Sequence, residues 1–191
     1  MFTRARTTRA ITVAILGIAA AAAAASAGAS DEADKDKAAI TAAEERMCGM
    51  TNMSQRIEDT IGFYDKDVIQ FDIMPEVFQG QDAVRKSLAA QYGNVKNLKC
   101  QMHHLQVGVD GNLGYAFSVQ SFQAEGVRGG PYANAKLHDD VQAREDSVTV
   151  KMTWRQTDIW KKKDGKWTMI HQHSSFPVDT KTGKAVFSPE G

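Results

Sequence analysis

The sequence has few of the signatures that most enzymes carry. Its 191 residues contain no P-loop, no dinucleotide-binding glycine fingerprint, no nucleophile elbow and no Cys-x-x-Cys pair. This removes the motif-bearing routes to nucleotide hydrolysis, nicotinamide redox chemistry, α/β-hydrolase catalysis and thiol exchange. No excess of either charge is present, since 23 Lys+Arg stand against 23 Asp+Glu. A nucleic-acid footprint needs a clustered basic excess, so no nucleic-acid partner is expected. Cysteine is scarce, with only Cys48 and Cys100. A bridge between them would staple a predicted helix to a predicted strand in an oxidising compartment. Two buried thiols fit as well, because sequence does not supply the Cα separation a disulfide needs. There is no internal repeat. The one long apolar run, Ala10 to Ala25, is too short and too alanine-rich for a convincing membrane span.

That run follows Arg4, Arg6 and Arg9, and small-x-small sites at Ala25-Ser26-Ala27 and Ala27-Gly28-Ala29 succeed it. Residues 1–29 are therefore expected to be a cleaved bacterial signal peptide, which makes the protein periplasmic or secreted and free of the membrane after cleavage. A retained anchor helix is the alternative. No cysteine follows the run, so no lipoprotein anchor is expected. Cleavage would remove three arginines and no acids, leaving a net charge of about −3. The remaining 160 or so residues suit one domain with a single core.

Residues 30–37 are charged and read as a disordered start to that domain, which is expected to span 38–180, with a tail at 181–191. Alanine and glutamate predict a helix over 38–47. Ser54 is a candidate N-cap for a second helix, SQRIEDTIGFY, which places Ile57, Ile61 and Tyr64 at helical spacing. A strand, VIQFDI, runs to Pro75, and QDAVRKSLAAQY forms a third helix. Two long β-rich segments, LKCQMHHLQVGV and LGYAFSVQSFQAE, flank a turn at Asp110-Gly111-Asn112. Residues 126–146 read as a long insertion loop in which ANAKLHDDVQAR forms a short helix. The order is α+β: about three N-terminal helices, then a curved antiparallel sheet wrapped around them.

The most informative segment is Met152 to Asp179, two β-rich runs around Asp164-Gly165. Asp-Gly at this place predicts a type I′ hairpin turn. Regular pairing out from the turn sets Lys163 opposite Lys166, Trp160 opposite Met169, Asp158 opposite His171, Gln156 opposite His173 and Trp154 opposite Ser175. One face then carries Trp154, Gln156, Asp158, Trp160, Trp167, Met169, His171, His173 and Ser175. Aromatic walls around a few polar groups make a small-molecule pocket. The other face carries Arg155, Thr157, Ile159, Thr168, Ile170 and Gln172 and reads as a surface or subunit contact.

YDKDVIQFDIMPEVFQGQDAVRKSL followed by RQTDIWKKKDGKWTMIHQHSSFPVD resembles the nuclear transport factor 2-like superfamily, and within it the SnoaL-like proteins. The last hairpin is similar to that of the calcium/calmodulin-dependent kinase II association domain. The resemblance covers residues 37–179. It implies a cystatin-like cone with a pocket at its wide end and a homodimer formed through the convex sheet face. That association domain lines its pocket with arginines; two of those positions hold Asp158 and Ser174 in this chain. The similar ketosteroid isomerase keeps an aspartate base at the end of its first strand, which Asp72 matches, and Tyr64 and Tyr115 are rival counterparts of its oxyanion-hole tyrosine.

Three roles follow from these readings. In the first, an exported protein binds a small, mostly apolar organic molecule, with Trp154, Gln156, Trp160, Met169, His173, Tyr64 and Tyr115 as ligand contacts. In the second, it is a cofactor-free isomerase or dehydratase-like enzyme. Asp72 would serve as its base, or an Asp158–His171 pair in which the carboxylate orients the imidazole. In the third, it is an oligomeric interaction module with a vestigial pocket. Asp72 also suits a plain turn-capping role, and Asp158–His171 a plain cross-strand pair. No cofactor and no metal are expected. His171 and His173 sit two apart on a strand, but His103 and His104 point to opposite faces and His138 lies in the insertion, so no third ligand is assigned.

Overall fold

Alanine-rich sequence carries helix α1, Ala10–Gly49, to the glycine that ends it. The computed structural model describes residues 10–50, 53–73, 76–92, 95–127, 142–143 and 147–186, with side chains from residue 30 onward except at 53–55, 126–127, 142–143, 147–148 and 150. The chain divides into two units, Met1–Asp36 and Lys37–Gly191. Residues 30–37, expected to be disordered, are helical. Among the described residues no helix is long and apolar enough to cross a membrane.

The second unit is built on alternating apolar and polar strands. Helix α2, Met53–Ile61, starts one residue before the expected cap Ser54 and stops early. Gly62 and Phe63 form a turn, with Gly62 N–H bonded to Glu58 O at 3.2 Å and Phe63 N–H to Thr60 O at 3.0 Å. Tyr64, expected to continue the helix, instead opens strand β1, Tyr64–Phe71. The three-residue strand β2, Val77–Gln79, was not foreseen; it pairs back on β1. Gly80, at φ 84°, makes the left-handed step into α3, Gln81–Tyr92, whose bounds are those read from sequence.

Strands β3, Lys96–Asp110, and β4, Leu113–Val127, form a hairpin. Gly126 and Val127, expected in the insertion, belong to β4. Gln142–Ala143, expected to be helical, is a short strand, β5, against β6. The rest of that insertion lies outside the described residues. Strand β6, Ser147–Lys163, turns at Asp164-Gly165 into β7, Lys166–Ser175. Both turn residues have positive φ, 50° and 76°, as a type I′ turn requires. The sheet order is β2-β1-β7-β6-β4-β3, parallel only between β1 and β7. The described part of the expected tail, residues 181–186, folds back: Val178 bridges Ala185, which packs on the core.

The expected register of the last hairpin fails beyond the fourth residue from the turn. Lys163↔Lys166 and Trp160↔Met169 pair as expected, but Ile159 pairs with His171, so Ile170 is an extra residue on β7. Such a bulge swaps the faces of everything beyond it. Asp158 therefore opposes Gln172, Gln156 opposes Ser174 and Thr157 opposes His173. Gln172 and Ser174 turn inward and are buried, while His171 and His173 turn outward.

Two apolar clusters fill the inner side. Ile40, Met47, Tyr64, Val68, Val84, Trp160, Trp167 and Met169 form the first, and Val95, Leu98, Phe122, Met152 and Trp154 the second. The outer side carries its own apolar band. One row runs Ile69, His171, Ile159, Tyr115 across four strands, and the next runs Phe71, His173, Thr157, Phe117. Phe71 meets both imidazoles edge-on and Tyr115 stacks on Phe117 at 4.9 Å. The Tyr115 ring also lies over Gly108, where an added Cβ would fall 2.1 Å from it.

Cys48 and Cys100 form a disulfide with a Cα–Cα separation of 5.3 Å, joining α1 to β3. It closes a loop across 52 positions. Replacing both cysteines with serine is expected to cost about 2–4 kcal/mol, read as a lower denaturation midpoint in urea without reductant. An unchanged midpoint would show that the bridge does not constrain the unfolded chain.

Candidate functional site

A pocket opens between the two apolar clusters. Met47 of α1, Arg56, Ile57 and Thr60 of α2, and Leu88 and Tyr92 of α3 form its helical side. The sheet supplies Tyr64, Gln70, Asp72 and Ile73 from β1 and its end, Gln120 from β4, Trp154 and Gln156 from β6, and Gln172 and Ser174 from β7. The space open to the centre of a water molecule is about 80 Å³. That is room for roughly five to eight waters, the size of a small organic molecule rather than a single ion.

The floor is a row of amides held by a carboxylate beneath it. Asp158 is 1% exposed and Glu44 is fully buried. Gln156 Nε2 donates to Asp158 Oδ2 at 2.7 Å, and Trp154 Nε1 donates to Gln156 Oε1 at 3.0 Å. Gln172 also bonds Asp158. Its Oε1 accepts from the Tyr64 hydroxyl at 2.8 Å and from Gln70 Nε2 at 2.6 Å. Glu44 Oε1 accepts from Trp160 Nε1 at 2.9 Å, so α1 is pinned to the sheet.

Two oxygens of this cluster, Glu44 Oε2 and Asp158 Oδ1, lack a donor while both acids are ionised. A hydrogen bond joins the two carboxyl groups, and it requires one proton between them. Burial, and then the Asp158 charge, raise the Glu44 pKa well above the usual carboxylate value. Burial raises Asp158 to about 6, against the opposing hydrogen bonds of Gln156, Glu44 and Gln172. Glu44 therefore keeps the shared proton and donates it to Asp158. Burial, then the charges of Asp158, Glu44 and Asp72, raise the Tyr64 hydroxyl well above its ordinary pKa, so it stays a donor. Gln70 Oε1, in the pocket wall, is the third buried oxygen without a donor.

The residues named from sequence scatter over three places. Asp72, Tyr64, Trp154 and Gln156 line the pocket. Asp72 accepts from Ile73 N–H at 2.6 Å and from Gln91 Nε2 at 2.7 Å, so it serves a local turn as well as the pocket. Asp158 lies under the floor, and Trp160 and Met169, both fully buried, are core rather than ligand wall. His171, His173 and Tyr115 are on the outer face: the bulge carries both histidines there, and Tyr115 pairs with Ile159 in the outer row. The Asp158–His171 pair does not form, and His171 Nδ1 instead contacts Ile69 O at 2.9 Å. His138 lies outside the described residues. Among the described residues no group of three potential metal ligands converges.

Sequence reasoning missed Glu44, Arg56, Gln70, Gln120 and Gln172. The amide residues alternate with strand period, Gln70 with Asp72 and Gln172 with Ser174, which was the available signal. Glu44 and Arg56 sit in helical stretches where either would pass for solvent-facing charge.

No protein-family model matches the chain, and no curated protein sequence matches it. Solved structures do match it. An NTF2-like protein of unknown function from Pseudomonas putida KT2440 is 21% identical, with a TM-score of 0.63 over 83% of this chain and 98% of that one. The association domain of Caenorhabditis elegans CaMKII is 18% identical, TM-score 0.52, over 76% of this chain and 98% of that one. A ketosteroid isomerase-like protein from Erwinia carotovora atroseptica is 13% identical, TM-score 0.54, over 73% and 95%. The fold is thus the nuclear transport factor 2-like, cystatin-like α+β fold, a curved sheet behind N-terminal helices.

The Glu44–Asp158 proton makes stability depend on pH. Folded acids with raised pKa values hold a proton that the unfolded chain releases above about pH 4. Their contribution is complete below that value and is lost as pH rises from there through about 6 for Asp158, and through a higher range for Glu44. Glu44→Gln fixes the protonated arrangement permanently: its oxygen still accepts from Trp160 and its NH2 donates to Asp158. This variant is expected to match the wild type near pH 5 and to exceed it by about 1–3 kcal/mol near pH 8, measured by urea denaturation across that range. Parallel pH curves for the two proteins would rule out the shared proton.

Proposed function

We propose that this chain is an exported protein that binds a small, mostly apolar organic molecule in the pocket. One observation carries the reading. The pocket separates two apolar cores, and its polar groups are hydrogen-bonded to one another rather than filled in by side chains. A wall of Trp154, Tyr64, Tyr92, Ile57 and Leu88 with a few oriented amides is how small-molecule sites are made. A buried amide oxygen without a donor, as at Gln70, costs about 1–3 kcal/mol, and a ligand bringing a donor would offset it.

An acid/base enzyme is the second reading, favoured by the place of Asp72 in the wall. Neither His171 nor Asp158 supports it, since one is on the outer face and the other beneath the floor. The ketosteroid isomerase-like neighbour supports this second reading by fold alone.

Native mass spectrometry of protein purified from its own cells tests the first reading. A retained small molecule is expected, on a chain whose mass places cleavage between Ala27 and Ser30. Ser174→Leu fills the pocket from β7 and is expected to lose that molecule while keeping the fold. Retention of the same mass by Ser174→Leu would place the ligand elsewhere, and an intact chain held in the membrane would remove the export reading.

The outer apolar band is proposed as the homodimer contact. Phe71, Tyr115 and Phe117 are each more than two-fifths exposed there and adjoin Ile69 in one surface. A sheet face with four such side chains in register is a candidate association surface, and a CaMKII association domain has the same fold. Phe117→Glu is expected to convert a dimer to a folded monomer in sedimentation velocity. A wild type that sediments as a monomer at every concentration would refute this.

A further inference from the structure

We infer that the molecule held in the pocket is a small organic monoacid whose carboxylate sits on Arg56. The inference rests on the ligand-binding reading above and narrows it. Arg56 reaches the pocket from α2 and is the one cation among its lining residues. Its Nη1 donates to Met50 O at 3.0 Å, the single hydrogen bond it makes among the described residues. A guanidinium has five N–H groups in a planar fork. The other two arginines on the helices with described side chains behave otherwise. Arg46 pairs with Asp59 at 2.9 Å and Arg85 pairs with Glu58, both at the surface. The arginine at the pocket is thus the one of the three without a carboxylate.

Electrostatics point the same way. Burial lowers the Arg56 pKa, and the neighbours that act on it are the phenols of Tyr92 and Tyr64, not an acid. Taking a guanidinium out of water without a counter-charge is unfavourable, and a carboxylate matching its fork removes that penalty. Asp72 shares the pocket, but it is not among the groups that act on Arg56, and its two oxygens are engaged by Ile73 N–H and Gln91.

The same inventory sets the charge and size of the ligand. One cation neutralises one negative charge, and a dianion such as a phosphate monoester would leave its second charge in a pocket that already holds Asp72. Met47, Ile57 and Leu88 accompany Arg56 in the helical wall, so the body of the acid is apolar. The available room fits a chain or a single ring.

The test uses the mature protein and four matched pairs: acetate, butyrate, benzoate and cyclohexanecarboxylate, each against its primary amide. Binding is read by isothermal titration and by intrinsic fluorescence, since Trp154 is in the wall. At least one acid is expected to bind about tenfold or more tighter than its amide. Arg56→Met, which keeps the apolar stem, is expected to erase that preference, and Arg56→Lys to retain part of it. The folded state of each variant is checked by circular dichroism. If Arg56→Met does not fold, the wild-type ratio and the Arg56→Lys ratio decide. Amides that bind as tightly as their acids would overturn the monoacid inference and leave the pocket reading standing. So would a preference undiminished in folded Arg56→Met. Should no acid or amide bind at millimolar concentration, both the inference and the pocket reading fall.

Discussion

A carboxylate that never meets water orders the inner face of this sheet. Asp158 can be tolerated in the core only because Gln156, Gln172 and protonated Glu44 all donate to it. Each donation fixes the direction of the donor. Gln156 must then present its oxygen to Trp154, and Gln172 must present its oxygen to Tyr64 and Gln70. One buried charge thereby sets the orientation of the amides along the pocket floor. Such a chain strengthens cooperatively and is unforgiving of a missing member. It also links helix to sheet, because Glu44 takes its second contact from Trp160.

The parts of the fold legible in sequence are those with local causes. The Asp164-Gly165 turn, both ends of α3 and the run of long strands follow from turn chemistry, helix-forming residues and β-rich composition. The register of β7 does not. From Ile170 to Ser175 the residues are Ile, His, Gln, His, Ser, Ser, polar on both faces, so alternation does not choose between them. The choice is made by Asp158, which takes Gln172 as a donor, and by Phe71, which packs on the two imidazoles. Both partners are distant in the chain. Arg56 and Glu44 were hidden for the same reason: a charged residue in a helix reads as solvent-facing until the strand opposite is known.

The extra residue at Ile170 divides two roles that regular pairing would have mixed. Without it, two imidazoles would stand among the pocket amides, and Gln172 would face outward. With it, the inner face presents the Gln172 amide and the Ser174 hydroxyl to the pocket, and the aromatic and imidazole rings gather on the outer face with Ile69, Tyr115 and Phe117. β7 belongs to both surfaces at once. A change in its register would alter the pocket floor and the outer band together.

That division weighs on the choice between binding and proton transfer. General acid/base chemistry needs a group that exchanges protons at the working pH and a donor placed for the charge that develops. The titratable groups in the pocket wall are Arg56, Tyr64, Tyr92 and Asp72. Tyr64 is held protonated by burial and by the acids near it, and an arginine keeps its proton. Asp72 is left as the proton acceptor, with both oxygens already taking N–H donors. The imidazoles that would complete a relay are on the far side of the sheet. A wall of fixed amides, apolar side chains and one cation without a carboxylate partner recognises a molecule by shape and charge. It offers little for moving protons within that molecule, and this is why we rank binding ahead of catalysis.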